Sequence, residues 1–189
     1  MEQPEAVERV VLVGFMAAGK TTVGRELARR LGWDFVDFDE VIERRVGMTV
    51  SEIFRSQGQA AFREMEARLT DEFGSARAAV LAPGGGWITH PALLDAVAPG
   101  TLVVWLRISP EEAVRRAMAD AVHRPLLAGA DPLGKARLLL SEREPLYFLA
   151  DASIDTDGRG VEDIAYEIAE RVRALSDLNA ADRWPPETQ

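Results

Sequence analysis

Val10-Val11-Leu12-Val13 runs into Gly14-Phe15-Met16-Ala17-Ala18-Gly19-Lys20-Thr21, and an amphipathic pattern follows at once. The order predicted is buried strand, glycine loop, helix. With the spacing G-x-x-x-x-G-K-[ST], a buried strand fixes the loop's start and a helix N-terminus lies beneath an anion. The backbone N–H groups of Ala17, Ala18, Gly19, Lys20, Thr21 and Thr22 would cradle phosphates, the Lys20 ammonium would reach the β- and γ-phosphates, and the Thr21 hydroxyl suits Mg²⁺. The ligand expected is a nucleoside triphosphate. Ala17 stands where many such loops carry glycine, so its methyl requires a backbone at negative φ.

Working outward, Val23, Leu27 and Leu31 recur every four residues on one helical face, and Gly32 supplies the stop. A short strand, Asp34 to Asp37, ends in Asp37-Phe38-Asp39, two carboxylates at the end of a strand where open α/β sheets bind ligands. A helix is expected from Glu40 to Val46, closed by Gly47, and Thr49-Val50-Ser51-Glu52 has capping-box spacing for another. That second helix stops near Gly58, and a longer one runs through Phe62-Arg63-Glu64-Met65-Glu66 to Phe73. Ala79 to Ala82 reads as a buried strand leading into Gly84-Gly85-Gly86, where a backbone can approach a ligand closely. Thr101 to Leu106 reads as a central strand, and Ser109-Pro110-Glu111-Glu112 opens a helix with serine as N-cap and proline at its first position. An exposed loop from His123 to Pro132, a helix from about Leu133, a strand at Ser153 to Asp155 and a helix from Val161 to about Leu175 complete the ordered chain. Alternating strands and helices predict an α/β fold: a three-layer parallel sheet with helices on both faces and right-handed crossovers.

The 189 residues, 47% of them hydrophobic, suit one domain over residues 1–176 with a disordered tail at 177–189. A net charge of −9 argues against non-specific binding to nucleic acid or anionic membranes, so any bound anion needs a local cluster of cations. With no cysteine, disulfides, thiolate metal sites and cysteine nucleophiles are excluded. Met1 to Glu8 lacks the pattern of a secretion signal and no apolar run is long enough to span a bilayer, which predicts a soluble, cytoplasmic protein; a monomer is expected.

A motor or transporter ATPase would show a second apolar strand ending in aspartate, but the later strands end in Ala82-Pro83 and Leu106-Arg107. A GTPase would carry an asparagine-lysine pair for guanine, and the sole asparagine is Asn179. What remains is a small-molecule kinase. Over nearly its whole ordered length the chain resembles the shikimate kinase family, through Gly14 to Thr22, Asp37-Phe38-Asp39, Gly58 with Phe62-Arg63 and Glu66, Gly84-Gly85-Gly86, Arg124-Pro125-Leu126-Leu127, and Arg143 with Pro145-Leu146-Tyr147. That resemblance implies a nucleoside-monophosphate-kinase-like P-loop fold, substrate-binding helices over about 38–73 and a mobile lid over about 120–134. It implies ATP-dependent phosphorylation of the shikimate 3-hydroxyl, a step toward aromatic amino acids. Asp39, Arg63, the backbone of Gly84, Gly85 and Gly86, and Arg143 would hold shikimate, with Phe54 and Phe62 lining its pocket. Arg124 would reach the transferring phosphates from the lid, and Asp37 would stand near Mg²⁺ with Thr21. Lys20, Asp39 and Arg124 are the implied catalytic set. Gly160-Val161 lies near where some relatives place a proline against adenine, which leaves Arg159 as the adenine-side candidate.

Each of these residues also has a plainer reading. Asp39 could cap the following helix, Arg63 and Glu66 could form a solvated i, i+3 ion pair, Phe54 and Phe62 could be core, and the three glycines could be a simple loop. Another small hydroxylated acceptor such as gluconate, a nucleoside monophosphate, or a regulatory module that binds nucleotide without turnover are the competing functions. His90 and His123 lack metal-ligand spacing and read as structural.

Overall fold

The computed structural model describes residues 6–119 and 130–181. Five parallel strands, β1 (Arg9–Gly14), β2 (Asp34–Asp37), β3 (Ala79–Ala82), β4 (Thr101–Arg107) and β5 (Ala152–Asp155), form one sheet in the order β2-β3-β1-β4-β5. Thus β4 is a central strand as expected, flanked by β1 and β5, and β1 is the middle one: Val10 pairs with Val80 on one side and Leu102 on the other. Both neighbours are parallel to it, so covering helices are needed on both faces. Strand alternation divides the core accordingly. Val10, Leu12, Val104 and Leu106 pack on one face beneath α1 (Lys20–Leu31) and α7 (Val161–Ala181). Val11, Val13, Val103 and Trp105 face the other, where α2 (Phe38–Val46) and α3 (Val50–Phe73) contribute Phe38, Ile42, Ile53, Phe62 and Leu69.

The local signals act as expected at most boundaries. Gly32 and Gly47 close α1 and α2 in left-handed conformation, Thr49 and Glu52 form the reciprocal capping box of α3, and Ser109 caps α5 (Pro110–Ala119). The break foreseen at Gly58 is a kink with φ 82°, ψ 172° between two helical halves of α3. Helix α2 begins at Phe38, two residues earlier than expected, because Asp37 and not Asp39 is its cap: the Asp37 carboxylate accepts the N–H groups of Asp39 and Glu40. A 3₁₀ turn at Trp87–Thr89 and a short helix α4 (Pro91–Asp95) follow the glycines, and α6 (Pro132–Tyr147) is capped by Asp131. The last helix runs to Ala181, beyond the expected start of the tail at residue 177. Its added turns present Asp177, Leu178 and Asn179, none of which breaks a helix as proline or glycine would.

At the sheet's N-terminal end the Arg9 side chain is 2% exposed. Its guanidinium donates to the carbonyls of Ala76, Ala98 and Pro99 and to the Thr101 hydroxyl. One cation therefore clasps the segments entering β3 and β4 to the start of β1. The strands' C-terminal ends, at the opposite edge, are left for chemistry.

Candidate functional site

At that edge the loop after β1 bends into α1. Among the described residues no side chain caps the helix, whose N-cap, Gly19, has φ 93°. The first-turn N–H groups and the helix dipole therefore face outward together, the arrangement that favours a phosphate group. Ala17 departs from expectation: its φ is 60°, in the left-handed region rather than at negative φ. The peptide accepts this strain because Ala18 N–H closes a turn on Phe15 O at 3.2 Å and the Ala18 side chain is buried beneath the loop. Lys20 Nζ folds back to Gly14 O at 3.1 Å and Phe15 O at 3.4 Å, so the ammonium lies across the loop's mouth. Thr22 is exposed and donates to Gly19 O, whereas Thr21 Oγ1 turns inward and donates to Asp37 Oδ2 at 2.6 Å.

Asp37 therefore serves both as cap and as partner of the loop threonine. A hydroxyl and a carboxylate oxygen this close are hard oxygen donors, the chemistry that suits Mg²⁺ completed by phosphate and water rather than by a protein cage. Among the described residues, no cluster of three or more His, Cys, Asp or Glu is placed to hold a metal.

Beside the phosphate loop lies a second cluster. Glu66, on the buried face of α3, is 0% exposed and pairs with Arg63 one turn earlier, while its other oxygen accepts Gly84 N–H at 3.1 Å. The i, i+3 pair is real but not solvated. Burial raises the Glu66 carboxyl above its ordinary range against the pull of Arg63, the Gly84 N–H and Lys20. Asp39 is half-buried and has its carboxyl pushed up to about 7, first by burial and then by the negative charges of Asp37 and Glu66, with Lys20 opposing. Two atoms here are buried with no hydrogen-bond partner among the described residues: Asp39 Oδ1, an acceptor, and Arg63 Nε, a donor. Such atoms are rare in folded proteins, and their adjacency to the glycine loop makes this a candidate ligand site.

The glycines are required by this crowding. A Cβ on Gly84 would stand 2.5 Å from Glu66 Oε1 and 3.0 Å from Asp39 Oδ1, and one on Gly86 would stand 2.0 Å from Arg63 Nη2. Gly85 lies against the phosphate loop, its Cβ position 3.4 Å from Met16 N, and its carbonyl accepts from Arg143 Nη1 and Tyr147 Oη, each at 3.2 Å. Arg143 also stands over the Phe15 ring at 5.8 Å. One connected set thus joins Lys20, Asp39, Glu66, Arg63, Gly84, Gly85, Gly86 and Arg143. Phe62 is core, 2% exposed beneath Arg63, and half-buried Phe54 packs on it with centroids 4.9 Å apart.

Two of the expected nucleotide-side residues fall elsewhere. Arg124, with most of the expected lid, lies outside the described residues. Arg159 pairs with Glu167 of α7 at 2.8 Å and touches Asp155 O at 3.4 Å. On that side sequence reasoning missed Arg116, whose guanidinium spans from Ala17 O at 3.5 Å to Thr156 O at 2.7 Å. Its neighbour Arg115 also pairs with Glu112, at i, i+3 where Arg116 is at i, i+4, and both spacings suit a helical ion pair, so the sequence offered no signal to choose between them.

Fold and site together define a P-loop kinase acting on a small molecule. Neighbours under 25% identity bear out the fold: a gluconokinase from Sinorhizobium meliloti 1021 (16% identical, covering 97% of this chain and 100% of that one, TM-score 0.61) and a deoxyadenosine kinase from M. mycoides (12%, covering 87% and 99%, TM-score 0.58). The shikimate kinase family model matches residues 16–173, and the chain belongs to the shikimate kinase family. It is 47% identical to a shikimate kinase of Moorella thermoacetica over 165 residues, 87% of this chain and 94% of that protein. A shikimate kinase of Thermus thermophilus is 42% identical over 172 residues, 91% and 94% of the two chains. Among solved structures, shikimate kinase from Acinetobacter baumannii in complex with shikimate superposes with a TM-score of 0.83 at 39% identity, covering 90% of this chain and 95% of that one.

Proposed function

We propose that the chain phosphorylates the 3-hydroxyl of shikimate with ATP, yielding shikimate 3-phosphate and ADP, with the two buried polar atoms beside the phosphate loop receiving the acceptor. Asp39 Oδ1 and Arg63 Nε are the observation that carries this reading: an orphaned acceptor awaits a hydroxyl and an orphaned donor awaits an oxygen. Shikimate offers both chemistries, ring hydroxyls for Asp39 and a carboxylate that the planar forks of Arg63 and Arg143 can bind in bidentate geometry. The Gly84-Gly85-Gly86 backbone forms the wall against which the ring rests, and the Phe54–Phe62 pair supports Arg63.

Phosphoryl transfer demands alignment and neutralisation of charge more than covalent chemistry. The β,γ end of ATP lies in the loop formed by Ala17 to Thr22, with Lys20 swinging from the Gly14 and Phe15 carbonyls to the phosphates. The acceptor oxygen attacks the γ-phosphorus, the bond to the β,γ-bridging oxygen breaks, and Asp39 orients the hydroxyl and takes its proton. A carboxyl titrating near 7 is matched to that exchange. Thr21 and Asp37 would hold Mg²⁺, which supplies charge neutralisation at the phosphates. Arg124 is assigned to the transferring phosphates, and Arg159 and Arg116 to the nucleotide side.

The acidic net charge and focused cations support a small anionic substrate over nucleic acid or membrane. No helix among the described residues is long and apolar enough to cross a membrane, and we place the enzyme in the cytoplasm as a monomer. The decisive experiment measures ADP formation with Mg·ATP and shikimate, gluconate or a nucleoside monophosphate. ADP released only with shikimate supports the reading. Release with another acceptor, or nucleotide binding without acceptor-dependent turnover, overturns it.

A further inference from the structure

Among the described residues the Gly85 carbonyl has two donors, and one of them is needed elsewhere. Arg143 and Tyr147 sit one turn apart on the same face of α6 and converge on that single oxygen, each at 3.2 Å. In the reading above, Arg143 must turn its fork to the acceptor's carboxylate. If it were the only donor, that motion would strand a part-buried carbonyl inside the site and set the cost of one bond against the gain of the other. Tyr147 removes the conflict. Its side chain is 0% exposed and its ring stacks on Trp105 of β4, centroids 5.3 Å apart and planes 13° from parallel, so the hydroxyl cannot follow a ligand. Burial pushes the phenol up to about 12 against the pull of Arg143, so it keeps its proton and remains a donor.

We propose that Tyr147 is a positioning residue for acceptor binding: it holds the Gly85 carbonyl from the core side and thereby releases Arg143 to bind the acceptor's carboxylate. The proposal rests on the assignment of Arg143 to the acceptor. It separates Tyr147 from a packing residue because packing is supplied by the ring, and positioning by the oxygen alone.

Tyr147→Phe keeps the ring and its stack on Trp105 and deletes the oxygen. Gly85 then depends on Arg143, and the KM for shikimate rises about fivefold to tenfold, the equilibrium equivalent of one modest hydrogen bond. The KM for ATP and the kcat stay within about twofold, even though Gly85 touches the phosphate-loop backbone, because the peptide itself retains a donor. In an Arg143→Ala background the same substitution adds nothing further, since no arginine remains to be released. Equal changes in the two KM values, or an undiminished effect of Tyr147→Phe in the Arg143→Ala enzyme, would overturn the proposal while leaving the acceptor assignment in place. An Arg143→Ala enzyme with unchanged KM for shikimate would overturn the assignment and the proposal together.

Discussion

Asp39 is held in a place that destabilises its working form, and Asp39→Asn should expose the cost. An ordinary aspartate titrates at 3.8, whereas burial and the neighbouring carboxylates move Asp39 to about 7. At ~1.4 kcal/mol per tenfold change in proton affinity, the gap corresponds to about 4 kcal/mol. The sign follows from the raised value. The folded state holds this proton more tightly than the unfolded chain, so the stability it contributes is complete below pH 3.8, declines as pH rises, and is gone above about 7. Asparagine does not titrate, so the variant should gain on the wild type with rising pH, by about 2 kcal/mol between roughly pH 5.5 and pH 8.5. In a domain of this size that is a widening of the Tm difference by about 4–8 °C. Thermal unfolding of the ligand-free protein across this pH range is the assay, with turnover measured in parallel. The variant should lose about 10²–10⁴ in kcat, and wild-type kcat/KM for shikimate should rise through an apparent pKa near 7. A Tm difference that is constant with pH, or that narrows as pH rises, refutes the account of Asp39 as a carboxylate desolvated in place and repelled by Asp37 and Glu66.

Lys20→Ala should lower kcat by more than about a hundredfold with little effect on stability, since of the two loop carbonyls the ammonium bonds, Phe15 O keeps the Ala18 N–H as donor; steady-state kinetics and a melting curve check both halves. Gly86→Ala places a methyl where the Arg63 guanidinium now lies, and because that group is the far end of a flexible side chain, the enzyme should fold but bind shikimate at least about tenfold more weakly. Its KM for ATP should change by less than about twofold, measured in the same titration. Ala17→Gly should raise stability by about 0.5–1 kcal/mol by relieving a left-handed alanine at φ 60°, read from the denaturation midpoint.

Much of this site was legible because its strongest signals are local. The spacing from Gly14 to Thr21 specifies a strand, a loop and a helix within a dozen residues, and Thr49 with Glu52 specifies a cap through two reciprocal bonds. What sequence could not resolve were choices between neighbours made by tertiary packing. Asp37 and Asp39 are equivalent as a pattern, yet register against β3 places Asp37 as cap and leaves Asp39 Oδ1 orphaned. Arg63 and Glu66 read as a surface pair because helical spacing says nothing about which face is covered, and here that face meets the glycines. The Ala17 backbone was misjudged for the same kind of reason: the buried Ala18 side chain and the turn onto Phe15 hold a conformation that local sterics alone disfavour. Phe62 lies in the core, and its packing on Phe54 and beneath Arg63 follows from tertiary burial that its spacing does not reveal.

The placement of β1 between β3 and β4 has a consequence for how the enzyme is made. Val10 has no sheet partner until Val80 and Leu102 have been synthesised, so the phosphate loop emerges from the ribosome long before anything can hold it in shape. The nascent chain must keep an apolar, β-prone segment out of trouble until more than half of its length is available, and nucleotide can assist only after that late closure.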